Sequence, residues 1–461
     1  MGESFLSGIK KNMVKKSKNK NSGCVYIVHH IDTEGPLTEP LTETFKRVED
    51  NLHIKIKESR TEANLKKLQN GELVGSDPDL QARIKKFLDL KLLSLNNDWS
   101  TIDKMLQKIM SQKFRNSMRD SFGGGWIYNW HTVDHAGFET NERSKDLGYS
   151  KIFDHYEDII KNTKSKEDQI HWHFHPISFF REAHISATSY ENSYSEIHQI
   201  LCRRLIDKKW FPRVNRAGFH SERPDSNWFL EQWIPFDPSN QSIKDDEKEK
   251  DRLTNRFADW TGAPLDWSLY HPDVSDWRKS GAMNRVIGRV LNMKARYRNI
   301  STKEIEKAFR KAQIGENVYL GITNHDFRDM APEIENFREL LSEVAKKFPK
   351  IKYKFAESVD AFRQVLNYGD KEIKKNTLDF KVTLKAGVLK VQILKGEIFG
   401  PQPYLAIKTK KGEYFHDNFD FGKFKKEYFY TFDRYTIPIE KVREIGVAAN
   451  DKYGNTCIVN L

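Results

Sequence analysis

Between residues 23 and 365, short apolar runs of strand character alternate with amphipathic helical stretches, and this recurrence constrains the fold more than any other feature of the chain. Strand, loop and helix repeated in this way predict an α/β barrel-like domain. The first strand lies in VYIVHHIDTEGP, a β-branched and aromatic run over residues 25–31 that stops at Gly35 and Pro36. Asp32 and Glu34 therefore sit where a strand ends. Side chains alternate at period two, so both carboxylates point to the same side. That pairing suits one carboxylate binding a metal while its neighbour handles a proton; the alternative is a strand end whose acids are solvated or cap the next helix.

Residues 37–119 read as a charged helical insertion after this strand, in segments such as DLQARIKKFLDLKLLSL and WSTIDKMLQKIM, whose apolar residues fall at intervals of three and four. The insertion is expected to form part of a wall or lid, with its charged faces solvated. Residues 126–130 predict a second strand that delivers His131, Asp134 and His135 to its carboxyl end. Active-site loops gather at that end of a parallel barrel, so these three are candidates for substrate contact or its support. QIHWHFHP then places His171, His173 and His175 within five residues. Whether as a helical turn or as a strand running into a loop, His171 and His175 can converge on one ion, and neutral imidazole is a common zinc ligand. Trp260, Trp267, Tyr270 and His271 follow in a long segment, either to stack on sugar rings or to pack in the core. From about residue 376 the texture changes to short alternating strands separated by Gly and Asp turns, which predict a small antiparallel sandwich. The expected division is a basic tail at 1–22, the barrel at 23–370 and the sandwich at 371–461.

The 77 basic and 65 acidic residues leave a net charge of +12, and six lysines against one glutamate before residue 22 supply +5 of it. The remainder is spread widely, which argues against nucleic acid as a partner. The tail has no apolar run long enough for a signal peptide or membrane span. Phe5, Leu6, Ile9 and Met13 fall at helical spacing opposite lysines, so the tail is either disordered or rests on an anionic membrane surface. Cys24, Cys202 and Cys457 are far apart and odd in number, which points to a reducing compartment rather than a disulfide framework. A cytoplasmic location is expected, with room for contact at the inner membrane face.

Taken together, these segments resemble the polysaccharide deacetylase superfamily of metal-dependent carbohydrate N-deacetylases. Asp32-Thr33-Glu34 resembles its first motif and His171 to His175 its second. Arg216-Ala217-Gly218-Phe219 resembles the third, Asp237 in IPFDPSN the fourth and His325 in VYLGITNHD the fifth, in the family's order. IDTEGPL, HWHFHP, ERPDSNWFLEQWIPFD and TNHDFRDM look shared with large members associated with bacterial surface polysaccharide synthesis. The resemblance implies an irregular barrel of about seven strands. It also implies a divalent metal, zinc by default, on Glu34, His171 and His175. Asp32 would be the general base, held ionised by Arg216, and His325 the general acid, its protonated form favoured by Asp237. Phe219 would lie beside an N-acetylated saccharide.

The chain departs from the family pattern in four places. Glu34 stands for the commoner aspartate, Trp172 for a hydroxyl residue, His173 adds a third candidate ligand, and Asp266 competes with Asp237. Two other readings stay open. One is an amide hydrolase with a closed pocket for a small non-saccharide substrate. The other is a non-catalytic carbohydrate-binding protein that keeps the metal as a structural element.

Overall fold

Eight strands carry the recurrence: β1 (Cys24–Thr33), β2 (Tyr128–Val133), β3 (Gln169–Phe174), β4 (Asn215–Ala217), β5 (Phe236–Asn240), β6 (Val286–Asn292), β7 (Val318–His325) and β8 (Lys352–Phe355). The computed structural model describes residues 22–75, 77–144, 147–185, 187, 189–244 and 260–461. The tail expected at 1–22 therefore lies, but for its last residue, outside the described residues.

The strands run parallel in the order β4-β3-β2-β1-β7-β6-β5. A parallel bridge from Val214 to Phe236 links the approach to β4 with β5, so the seven-stranded barrel is nearly closed. β8 pairs with residues 24–27 of β1, below the point where β2 joins at His29. Alternation divides β1 between two environments. Ile27 and Ile31 pack outward in the cluster that also holds Ile102, Leu106, Phe337 and Leu341. His30 makes polar contacts with His131 and Tyr319, and Asp32 with Arg216. The barrel's expected strands are present, and so is β6, which no sequence signal marks because Gly288 and Arg289 interrupt its apolar run.

Thirteen α-helices accompany the strands among the described residues. The insertion supplies α1 (Leu41–Leu52), α2 (Glu62–Asn70), α3 (Pro78–Phe87), α4 (Leu90–Leu93), α5 (Trp99–Ile109) and α6 (Gln112–Arg115). The barrel has α7 (Lys151–Asn162), α8 (Tyr194–Lys208), α9 (Pro224–Trp233), α10 (Thr302–Gln313), α11 (Met330–Lys347) and α12 (Ser358–Val365), and α13 (Asp370–Asn376) leads into the carboxyl-terminal part, where Glu372 accepts the Tyr453 hydroxyl. Phe45, Val48, Leu52, Leu68, Ile84, Phe87 and Leu88 give the insertion a core of its own. At roughly 1.5–3 kcal/mol for each large apolar side chain buried, that core offsets part of the cost of ordering short helices. α5 instead joins the main core through Ile102, Met105, Leu106 and Ile109, which ties the insertion to the barrel. Among the described residues, no helix is long and apolar enough to cross a membrane.

The carboxyl-terminal part forms two antiparallel sheets from β9 (Asp379–Lys385), β10 (Val388–Lys395), β11 (Tyr404–Thr409), β12 (Tyr414–Asp417), β13 (Asp420–Phe421), β14 (Glu427–Thr431), β15 (Val442–Asn450) and β16 (Thr456–Asn460). Their orders are β13-β14-β10-β9 and β12-β11-β15-β16. Val391, Leu405, Tyr428 and Val447 share one core, so the sheets face each other as a sandwich. Tyr404, Ala406 and Tyr414 point the other way, into a cluster with Ile197, Leu201 and Leu205 of α8. This packing makes the sandwich a buttress on the barrel wall. Trp260, Trp267 and Tyr270 are buried and belong to the core, whereas His271 is exposed.

Candidate active site

β1 is stopped by Gly35, whose φ of 72° lies in the left-handed region that glycine adopts without strain. The turned backbone donates its Glu34 and Gly35 amides to the two carboxylate oxygens of Asp326, at 2.8 and 3.0 Å. Asp326 also accepts the Tyr156 hydroxyl at 2.8 Å. Asp326 thus aims Glu34, although sequence reasoning passed it over; its place next to His325 was the available signal. Burial pushes its carboxyl up to about 7, against three donors that favour the charged form. On the other side, His135 Nε2 lies 3.3 Å from the Glu34 carbonyl oxygen. His135 is therefore a backbone support rather than a substrate contact.

Glu34, His173 and His175 each present a ligand atom within 4.8 Å of the other two. This corrects the expected pairing of His171 with His175. β3 remains a strand as far as Phe174, so His171 and His173 share a face and differ in depth by two residues, roughly 6–7 Å. His171 lies on the lower level, with Nε2 3.2 Å from both Asn129 Oδ1 and Glu357 Oε1. His173 takes its place at the barrel mouth. There His173 Nδ1 is 2.8 Å from the carbonyl oxygen of Arg216, an acceptor only, so Nδ1 carries the proton and Nε2 presents its lone pair. His175 Nε2 faces that lone pair at 2.9 Å and is 3.7 Å from Glu34 Oε1.

Burial pushes both rings down, so both are available as neutral donors. Glu34 is raised to about 8 by burial and then by the nearby carboxylates of Asp32 and Asp326, and a cation relieves that repulsion. A borderline-soft divalent ion fits this set of two imidazoles and one carboxylate. Gly218 lets the two walls meet: a Cβ there would lie 2.4 Å from the Phe174 carbonyl oxygen and 2.5 Å from the His175 ring. Phe219 follows with a φ of 52° and sets its ring 4.5 Å from that of His175.

Beside the triad, the Arg216 guanidinium grips Asp32 with Nε at 2.5 Å and Nη2 at 2.8 Å, both side chains fully buried. Burial alone would raise the Asp32 carboxyl, but Arg216 holds it well below the usual range. His325 Nε2 is 3.7 Å from Asp32 Oδ2 and 3.9 Å from Glu34 Oε1. These are the carboxylates within 4 Å of the ring among the described residues, and Asp237 is not one of them. Asp237 pairs instead with Arg285, which also binds Glu222, while Asp266 binds Ser268 and Lys311 at the surface. Neither acid supports His325. Burial pushes His325 down to about 3, with Arg328 and Arg216 opposing the help of Asp32, so the resting ring is neutral.

Above these groups is a cavity of about 250 Å³ whose floor holds Asp32, Glu34, His173, His175 and His325. Phe219 lines it, whereas His131 and Asp134 do not. His131 lies inside the barrel, its Nε2 2.8 Å from His30 Nδ1, and Asp134 pairs with Arg204 of α8 at 2.6 Å. The insertion contributes Phe87, Leu92, Leu93 and Leu95, the wall expected of it. It also contributes Arg47, so part of its charge faces the cavity rather than solvent.

No protein-family model, curated protein or solved structure matches this chain. The geometry therefore carries the functional argument. It joins three potential metal donors, a carboxylate kept ionised and a neutral imidazole in one cavity, a set of groups able to hold a cation and exchange protons beside it.

Proposed function

We propose that the chain is a metal-dependent deacetylase of the polysaccharide deacetylase type, removing an N-acetyl group from a saccharide or sugar precursor. The observation that carries this reading is the convergence of the Glu34, His173 and His175 triad with the clamped Asp32 and with His325 in one cavity. A purely structural metal site needs neither of the last two.

Bound by the triad, a divalent ion, zinc by preference of this ligand set, would polarise an amide carbonyl and lower the pKa of a water. Asp32, ionised by Arg216, takes the proton that the attacking water gives up. His325, neutral at rest and 3.7 Å away, receives that proton and passes it to the departing nitrogen. Acetic acid and the free amine, which leave as acetate and the ammonium form once the acid's proton moves to the amine, then account for every atom of amide and water. Phe219 offers a face on which a sugar ring packs. The cavity, about 250 Å³ and partly walled by the insertion, is at the small end for ligand sites and favours a monomeric acylated substrate over a long polymer.

The test is metal content and acetate release in parallel. Wild-type chain is expected to hold about one ion, and the His173→Ala, His175→Ala double variant none. Loaded wild type should release acetate from N-acetylated sugars, and the variant should not. Metal-loaded protein that releases acetate from no N-acetylated sugar or sugar phosphate removes the deacetylase reading.

A further inference from the structure

The floor of the cavity holds the triad, but its outer wall is lined with guanidinium groups. Arg47 comes from α1, Arg143 from the chain between β2 and α7, Arg296 and Arg298 from the loop after β6, and Arg328 from the segment after β7. Among the described residues, Arg47, Arg143, Arg296 and Arg328 have two ion-pair partners between them. Arg47 and Arg143 share Glu39, and Arg328 pairs with Glu333 at 3.2 Å. Arg296 spends Nε and Nη2 on the carbonyl oxygen of Phe87, at 3.0 and 2.8 Å, and no carboxylate pairs with it among the described residues.

The arrangement is also held in place. The guanidinium carbons of Arg296 and Arg47 lie 4.3 and 5.5 Å from the centroid of the Phe87 ring, and Arg328 adds a bond to the Lys294 carbonyl oxygen at 2.9 Å. These four guanidinium groups, with fewer ion-paired carboxylates than their own number among the described residues, repel one another, and partial burial strengthens the repulsion. Burial, and then Arg47 and Arg328, push the Arg296 guanidinium down to about 9; burial and Arg47 push that of Arg143 down to about 10. An oxyanion placed among them would remove the cost. Planar guanidinium forks match phosphoryl and carboxylate oxygens in pairs, which is the recognition this wall can offer.

We propose that this wall binds an oxyanion carried by the substrate, a phosphoryl group above all, while the acyl group is directed at the floor. The substrate class becomes an acylated sugar phosphate or its diphosphate-linked equivalent rather than a neutral sugar. The part concerning the acyl group rests on the hydrolase reading; the anion site stands on the arginines alone.

The test is calorimetric titration of the full chain with inorganic pyrophosphate, after chelation so that no bound ion contributes. Wild type is expected to bind with a Kd below about 1 mM, weakening as salt rises. Arg296→Gln and Arg47→Gln should each weaken binding about tenfold or more, as for loss of a charge-assisted hydrogen-bond partner. If Arg296→Gln does not fold, Arg47→Gln carries the test, since Glu39 keeps Arg143. The His173→Ala, His175→Ala variant should bind as wild type does. Absence of binding, no loss in a folded arginine variant, or loss in the histidine variant overturns the proposal.

A second titration separates the sources of the phosphoryl group. N-acetylglucosamine 1-phosphate should bind more tightly than either N-acetylglucosamine or inorganic phosphate. Equal affinity for the sugar phosphate and free phosphate would make the wall a phosphate site unconnected with substrate and would overturn the assignment. Pyrophosphate binding without any acetate release from loaded protein would sink the deacetylase reading and leave the anion site intact.

Discussion

Replacing Arg216 by leucine exposes how the site is held. The guanidinium makes two charge-assisted hydrogen bonds to Asp32 and a third, at 3.1 Å, to the Pro238 carbonyl oxygen, across the place where β4 and β5 close the barrel. Asp32 and Arg216 are both without exposed side-chain surface. Removing one member of a buried pair leaves the other charged and unpaired, which costs about 3–5 kcal/mol. In wild type the Asp32 carboxyl titrates below its unfolded value of about 3.9, so its stabilising contribution is present above that pH and is lost as pH falls further. With leucine in place, burial acts without the cation and raises the carboxyl. The variant's deficit is then smallest near pH 4 and grows as pH rises towards 8.

Urea unfolding of metal-free protein from pH 4 to 8 measures this gap directly. A second background completes a double-mutant cycle. Asp32→Asn combined with Arg216→Leu leaves no buried charge at the pair, and the coupling should amount to at least about 2 kcal/mol at pH 7. A deficit below about 1 kcal/mol, or one that does not change with pH, would refute the argument that the pair is mutually dependent.

Several other perturbations bear on the triad. His173→Ala and His175→Ala should each lower bound metal measured by atomic absorption, whereas His171→Ala should keep the metal and lose stability because Glu357 loses its imidazole partner. Asp32→Asn should retain metal and fold but slow acetate release at least about 100-fold; full turnover would remove Asp32 from the mechanism. Gly218→Ala forces a methyl against the Phe174 carbonyl and the His175 ring, and should cost about 1–3 kcal/mol in a thermal melt along with weaker metal binding. Because Glu34 is raised to about 8 without metal, cation binding must displace its proton below that pH. Metal affinity, followed by competition with a chelator, should therefore fall as pH is lowered from 8 to 6.

Strand and helix were legible wherever a segment obeyed one period. β1, α3 and α5 lie close to where apolar spacing and turn residues put them. β6 broke its own pattern with Gly288 and Arg289, and the short strands β12, β13 and β14 offered too few residues for any alternation to stand out. Asp32 and Glu34 could be read as a pair because the last inward residue of a strand and the residue two places on share a face while the chain stays extended. The ligand pair among the histidines could not, since spacing alone allows a helical turn joining 171 to 175 as readily as a strand presenting 173. Once β3 is extended and its register with β4 sets His173 opposite Arg216, only the second arrangement reaches the mouth.

What the amino-acid sequence determined by itself is therefore local: residue types, their period, and the order in which chemically competent groups appear along the chain. Tertiary structure decided what lies next to what. Asp237 follows its strand as the motif order suggests, yet Arg285 and Glu222 capture it, and His325 is left with Asp32 and Glu34. The arginine wall draws on α1, the β2–α7 chain and the loops after β6 and β7, segments up to 281 residues apart, from Arg47 to Arg328. No periodicity encodes that gathering. Electrostatic interaction depends on distance and dielectric, and both are fixed only when the barrel and its insertion close around the cavity.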